Sequence, residues 1–382
     1  MDKPTILLVD DTPANLMVLS GVLKKEYRTL EAANGRECLA LAASERPDLI
    51  LLDIMMPGMD GYEVCSRLKA DPATRDIPVI FATALQQEQD EIRGFQAGAV
   101  DYVTKPFRLA VVKARVKTHL TIRQQQAELR RKQQNIEDDL KAAGVIQQSL
   151  LPKRPPDLSQ ASFAWKFQPC DAVGGDILNV VRLDQNHVGI YMLDVAGHGP
   201  PAAMLSVMVY QLMSPLTGIL LDESTPPRIR EPEDVLNILD REFPQTRFER
   251  HFTIIYMVLN LATGRLLYSN AAHCAPLVLR ADGRLERLEI SGTIIGLNII
   301  PFGQGSVDLT PGDKVLLYSD GVIEMENSSR EYFDDEGLAA AITELRTASP
   351  AALVAGIHAA ATRFAGQAPP NDDLSILAFE LH

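Results

Sequence analysis

Residues 48–53 read DLILLD. Four apolar residues in succession, without alternation, fit a strand covered on both faces, and the run stops on a carboxylate, Asp53. Working outward, the same grammar recurs. TILLV (5–9) ends at Asp10 and Asp11, PVIFAT (78–83) ends on Thr83, and AVDYVT (99–104) ends at Lys105. Helical stretches such as 14–25 fill the gaps. This alternation predicts a doubly wound α/β domain around a five-stranded parallel sheet, in which the carboxyl ends of the strands line one crevice.

Three carboxylates in one crevice repel each other unless a cation sits among them, and oxygen ligands in a small cleft favour Mg²⁺. A carboxylate beside Mg²⁺ can attack a phosphoryl donor, and a hydroxyl (Thr83) and an ammonium (Lys105) can hold the new phosphoryl oxygens. Pro106 makes a cis Lys105–Pro106 bond an expectation. The stretches ILLVDD, LLDIMMPGMDGYEV, FATAL and DYVTKPF, in this order, resemble the receiver domain of two-component response regulators. The resemblance implies a flavodoxin-like fold. It makes Asp53 the phospho-accepting residue, and Asp10 and Asp11 the acidic pair for Mg²⁺, with the Ile54 carbonyl near the metal. Thr83 and Lys105 become the switch pair, and Tyr102 the aromatic that rotates on activation. A sensor histidine kinase is the implied partner.

The whole chain has 382 residues, room for two to three domains at about 150 residues each. Its formal net charge of −13 disfavours sequence-independent nucleic-acid binding. The output region shows no helix-turn-helix pattern or basic stretch, which argues against a transcription factor. The four cysteines (38, 65, 170 and 274) match neither a zinc ribbon nor a disulfide framework and suit a reducing cytoplasm. The N-terminus does not read as a signal peptide. Residues 195–221 lack any charged side chain except histidine, but their glycines and prolines point to a buried helix after a glycine-rich loop rather than a membrane span.

The expected boundaries are a receiver over 1–120, a helical linker over 121–151 and a third region over 152–382. In the linker Ile122, Leu129, Ile136, Ala143 and Leu150 recur every seven residues. This predicts a coiled coil and a homodimer, weakened by Gln126, Gln133 and Gln147 at the other core position. Prolines 152, 155 and 156 stop the helix.

The third region alternates strand-like runs, such as 188–195, 252–259 and 313–320, with helical stretches at 202–213, 336–345 and 351–364, as in a layered α/β domain. Its acids are scattered: Asp176 in AVGGDILN, Asp194 in MLDVAGHG, Asp320 in LLYSDGVIE, and Asp372 with Asp373 in NDDLSIL. Each adjoins an apolar run. Buried together they would need positive charge, and two divalent ions are the usual solution for an all-carboxylate cluster. Such a pair activates water for direct hydrolysis of a phosphate ester. The N-terminus of the helix after Gly199 could favour an anion.

The order GGD, D-V-x-GHG, F-T, N-A-x-H, SDG-V-x-E, DDL resembles the SpoIIE-type branch of PPM (protein phosphatase 2C-like) serine/threonine phosphatases. QQSLLP (147–152), PPAAM (200–204) and the stretches 262–283 and 311–324 match as well. The resemblance implies a layered αββα sandwich and a pair of Mn²⁺ or Mg²⁺ ions. Asp194 would bridge both ions, with the Val195 carbonyl on one. Asp176 would support the second, and Asp320 and Asp372 would hold the first. Asn179 stands where many relatives carry a second acid, which puts an outer-shell contact in doubt. His273 reads as a structural turn residue, and His198 is a candidate proton donor to the leaving oxygen. By analogy the substrate is a phosphorylated anti-sigma-factor antagonist. The contrasting expectation is a non-catalytic phosphatase-fold adaptor that only binds a partner.

Overall fold

The computed structural model describes residues 3–84, 93–152, 154–156 and 158–382; Leu85 of the FATAL stretch lies outside them. The chain divides into two compact units, Met1–Asn135 and Ile136–His382.

In the first unit the order is β1 (Thr5–Val9), α1 (Pro13–Leu23), β2 (Arg28–Ala32), α2 (Gly35–Glu45), β3 (Leu49–Asp53), α3 (Gly61–Ala70), β4 (Val79–Thr83) and β5 (Asp101–Thr104). The strands form a parallel sheet in the order β2-β1-β3-β4-β5. Alternation within β1 sorts its side chains between two layers. Ile6 and Leu8 pack with Leu16, Leu19, Leu23, Val112 and Val116, while Leu7 and Val9 pack with Cys38, Ala42, Val64 and Cys65. A strand covered on both faces has no polar position to spare, hence the unbroken apolar runs. Two helices start on side-chain caps: Asn34 accepts from the Glu37 amide and Asp60 from the Glu63 amide.

A single helix, α4, runs from Leu109 to Gln148. Its first turns bury Val112 and Val116 in the first unit, so the expected boundary at 120/121 falls inside one continuous element. The heptad residues Ile122, Leu129 and Ile136 are exposed.

The second unit is an αββα sandwich. One antiparallel sheet has the order β13-β10-β9-β8-β7 and the other β12-β11-β14-β15-β6. The strands are β6 (Ala161–Gln168), β7 (Ile177–Arg182), β8 (His187–Val195), β9 (Phe252–Asn260), β10 (Arg265–Ala271), β11 (Leu277–Leu279), β12 (Leu285–Arg287), β13 (Gly305–Asp308), β14 (Lys314–Tyr318) and β15 (Leu374–Leu381). Ile190 and Met192 of β8 meet Leu317, Leu377 and Phe379 between the sheets. The alternate residues Tyr191 and Leu193 face α5 (Pro200–Leu212) and α6 (Pro232–Glu242). After α6 comes the short α7 (Gln245–Phe248), and β14 is followed by the short α8 (Asp320–Ile323). The other outer face is covered by α9 (Asp334–Glu344) and α10 (Pro350–Ala365). The charge-free stretch 195–221 holds only the thirteen-residue α5. Among the described residues, no helix is long and apolar enough to cross a membrane.

Gly144 lies inside α4, where glycine costs about 1 kcal/mol relative to alanine. A Cβ there would fall 2.0 Å from the Ala172 carbonyl oxygen. Gly144→Ala should therefore destabilise the second unit, by about 1–3 kcal/mol, where helix propensity alone gives the opposite sign. Urea unfolding of the full chain reads the difference, and a stabilised variant would refute the close approach.

Candidate phosphoacceptor pocket and carboxylate centre

In the first unit the strand ends deliver their side chains to one place. Asp10 and Asp53 are buried, and the Lys105 ammonium lies 2.8 Å from Asp10 and 2.9 Å from Asp53. Asp10, Asp11 and Asp53 each bring an oxygen within 4.8 Å of the others, with Asp11 exposed. Burial raises the Asp53 carboxyl, opposed by its hydrogen bond to Lys105. Burial also works against the Lys105 ammonium, but its bonds to Asp10 and Asp53 outweigh this and raise it. The Lys105 amide donates to the Thr83 carbonyl at 2.8 Å, tying the two switch candidates together, and the Lys105–Pro106 bond is cis. Tyr102 is half-buried, edge-on to Phe95. The Ile54 carbonyl accepts the Gly61 amide at 2.9 Å, closing the turn into α3.

In the second unit the acids come from both sheets. Asp194 is the penultimate residue of β8, opposite Thr253, and Asp176 immediately precedes β7, whose Ile177 pairs with Leu193. Asp320 opens α8 after β14, and Asp372 precedes β15. Their ionisation shows the convergence. Asp194 is pushed up to about 7 by burial and by the charges of Asp320, Asp372 and Asp373. Asp176 is raised well above its ordinary value by burial and by Asp194 and Asp373, and Asp372 by burial and by Asp320. Asp320 is raised by burial and Glu324. The Asp176 Oδ2 atom is buried without a hydrogen-bond partner. An orphaned carboxylate oxygen in a crowd of repelling acids fits a site for divalent cations.

Several further residues surround this centre. Asp373 clasps the two sheets: its oxygens accept the Cys170 amide at 2.9 Å and the Asp176 amide at 3.1 Å. Asp372, Asp373 and Cys170 each bring a ligand atom within 4.8 Å of the others. Burial and the neighbouring acids Asp320, Asp194 and Asp176 push the Cys274 thiol up to about 12. His273 is buried with Nδ1 2.8 Å from the Thr253 hydroxyl, and burial pulls it down to about 4; it sits in the turn that Asn270 closes. His198 is exposed and lies near Asp372. Asn179 is buried with its amide 3.3 Å from the Tyr191 hydroxyl.

Gln147 corrects the heptad reading. Rather than a weak core position, its side chain is buried on the GGD loop. Its Nε2 donates to the Gly174 carbonyl at 2.7 Å and to the Ser206 hydroxyl at 3.2 Å, and its Oε1 accepts the Gly174 amide at 3.1 Å. The last turn of α4 is thereby fastened to the backbone just before Asp176 and to α5.

Fold and sites together define a receiver domain fused to a phosphatase domain of the PP2C type. Residues 184–382 match the family described as Stage II sporulation protein E (SpoIIE), and residues 6–117 match the response regulator receiver domain. The chain belongs to the SpoIIE family. Its first unit is similar to the response regulator PleD of Caulobacter vibrioides, 49% identical over 114 residues, which are 30% of this chain and 25% of PleD. It is also similar to protein PilH of Pseudomonas aeruginosa, 44% identical over 102 residues, which are 26% of this chain and 84% of PilH. The chain thus spans about a quarter of PleD's length. Among solved structures, the SiaA-PP2C domain of Pseudomonas aeruginosa superposes with a TM-score of 0.56 at 21% identity, covering 66% of this chain and 99% of that domain. At that identity the likeness shows the fold.

Gln147→Leu, close in volume, strands the Gly174 amide and carbonyl. It should destabilise the second unit by about 2 kcal/mol or more, against within about 0.5 kcal/mol for the exposed neighbour in Gln148→Leu. Equal unfolding midpoints in urea would remove the clasp.

Proposed function

We propose that the chain is a response regulator in which phosphorylation of Asp53 controls a metal-dependent protein serine/threonine phosphatase. The observation that carries this reading is the convergence of Asp176, Asp194, Asp320 and Asp372 from two sheets, each held above its ordinary pKa by burial and by acidic neighbours. A binding adaptor gains nothing from one buried and three half-buried acids that oppose one another.

Asp10, Asp11 and Asp53 would hold one Mg²⁺, which neutralises charge as the phosphoryl group arrives. An Asp53 oxygen attacks phosphorus, the bond from phosphorus to the sensor histidine kinase's imidazole breaks, and Thr83 and Lys105 hold the transferred oxygens. Tyr102 responds to the new position of Thr83. In the second unit Asp194, the Val195 carbonyl, Asp176, Asp320 and Asp372 would hold two Mn²⁺ or Mg²⁺ ions, which acidify a water and neutralise phosphoryl oxygens. The protein's own groups do the rest. The acids fix the reacting geometry from rigid strand ends, and His198, exposed beside Asp372, supplies a proton to the leaving serine or threonine oxygen.

The proposed substrate is a phosphorylated anti-sigma-factor antagonist in the cytoplasm. The exposed heptad stripe of α4 pairs with a second copy in a homodimer. Phosphorylation shifts the conformers of the receiver, and α4, whose last turn carries Gln147, conveys the shift to the Gly174–Asp176 loop.

Full-length protein should hydrolyse p-nitrophenyl phosphate with Mn²⁺ or Mg²⁺ and stop in EDTA. Asp194→Asn should lower kcat by more than about a hundredfold, since even outer-shell changes at metal sites cost ten- to a hundredfold; undiminished turnover refutes the enzyme. Beryllofluoride should change the rate or the sedimentation coefficient of the wild type and leave Asp53→Asn unmoved. A wild type that is monomeric and unresponsive in both states refutes the switch.

A further inference from the structure

Parallel strands have two ends, and the phosphoacceptor pocket occupies only one of them. At the other, the starts of β1 and β2 lie side by side, Thr5 paired with Arg28, and Asp48 leads into β3. These strand starts and one side of α4, through Lys117, Leu120, Thr121 and Gln124, line a cleft of about 1060 Å³. The extended chain from Thr5 to Asp10 spans about 17 Å, so the cleft is distinct from the pocket around Asp53.

Its charge is opposite to that of the chain. The strand wall brings Lys3 and Arg28, the helix wall brings Lys117 and Arg123, and among the described residues Asp48 is the one acid that lines it. The helix is the source of the bias: residues 109–132 hold seven lysines and arginines against a single acid, Glu128, in a chain of net charge −13. The acids nearby are already committed. Glu45 accepts Arg28 at 2.8 Å, and Glu26 accepts Lys113 at 2.9 Å. Asp48 takes the Thr5 amide at 2.8 Å and stands 3.8 Å from Arg123, whose Nη1 donates to the Pro47 carbonyl at 2.8 Å. Two cations are left without a carboxylate in ionic contact among the described residues. The Lys3 ammonium donates only to the Lys25 carbonyl, at 3.0 Å. The Lys117 ammonium makes no hydrogen bond; Lys113 holds Glu26 ionised through its own, and Lys117 adds only its charge.

Lys3 and Lys117 come from different walls, so a ligand that satisfies both must carry its negative charge along a chain rather than at one point. Between the cations the lining is mixed. Tyr27 and Leu120 are half-buried, and Thr121 and Gln124 add a hydroxyl and an amide. A flat heterocycle can lie against the tyrosine ring, and its polar edge suits the amide. We propose that this cleft binds a nucleoside polyphosphate, with its phosphate chain between Lys3 and Lys117, flanked by Arg28 and Arg123, and its base against Tyr27. The bound ligand joins α4 to the strand starts and so stiffens the root of the linker helix. The site needs neither acidic centre and does not depend on the phosphatase reading.

The test titrates the full-length protein by calorimetry with ATP and, separately, with tripolyphosphate. EDTA is present throughout, so that neither acidic centre holds a metal that could bind phosphate and nothing is hydrolysed. Wild type should bind both, ATP more tightly, and binding should weaken as salt rises. Lys3→Gln and Lys117→Gln change exposed side chains, so unfolding midpoints should stay within about 2 °C of wild type. Each should weaken ATP about three- to fivefold, and the double variant at least about tenfold. Tyr27→Leu should weaken ATP and spare tripolyphosphate, whose retained binding shows that the cleft is intact, and Tyr27→Phe should bind ATP like wild type. No binding by wild type, or an undiminished affinity in the double variant, overturns the site. An equal loss in Lys141→Gln, outside the cleft, overturns it too, as nonspecific attraction. ATP that binds no better than tripolyphosphate and ignores Tyr27→Leu overturns the nucleoside and leaves free polyphosphate as the ligand.

Discussion

Mutual repulsion among buried carboxylates is the constraint around which the second unit is built. Asp176, Asp194, Asp320 and Asp372 sit near strand ends of two facing sheets, the first buried and the other three half-buried. Asp194 is pushed up to about 7, so near neutrality the cluster takes up protons in the absence of cations. Holding such groups together requires restraint from elsewhere. Asp373 provides part of it by accepting backbone amides on the Cys170–Asp176 segment from its own place at the start of β15. Ser319 provides more, donating to the Asp373 carbonyl at 3.0 Å and accepting the Ser375 amide at 3.0 Å. Gln147 fastens the same loop from the linker helix.

The first unit meets the same problem differently. Its buried acids are fewer, and Lys105 reaches both Asp10 and Asp53 from β5's end. An internal cation lets this pocket persist with both acids buried. The second unit has no lysine or arginine in ionic contact with its four acids among the described residues. One unit therefore carries a balancing charge of its own, and the other shows none in ionic contact with its four acids among the described residues.

Much of this was legible in the chain. Unbroken apolar runs announce strands buried on both faces, and a polar residue ending such a run must stand at the sheet's edge; that logic located Asp53, Asp10, Thr83 and Lys105. The scattered acids of the second unit were legible as a set, because each adjoins an apolar run. What failed was whatever depended on contacts between distant segments. Gln147 fits a heptad by spacing, and only the approach of Gly174 shows that it belongs to the loop. The α6 helix was missed although Val235, Leu236 and Leu239 share a face behind Pro232 at the first turn.

The central claim is that the four acids gather around imported dications. The most direct measurement is anomalous diffraction from crystals of the full chain soaked in manganese. Two peaks among Asp176, Asp194, Asp320 and Asp372, near enough for Asp194 to touch both, are the predicted result. Well-ordered carboxylates with no anomalous density between them would contradict it.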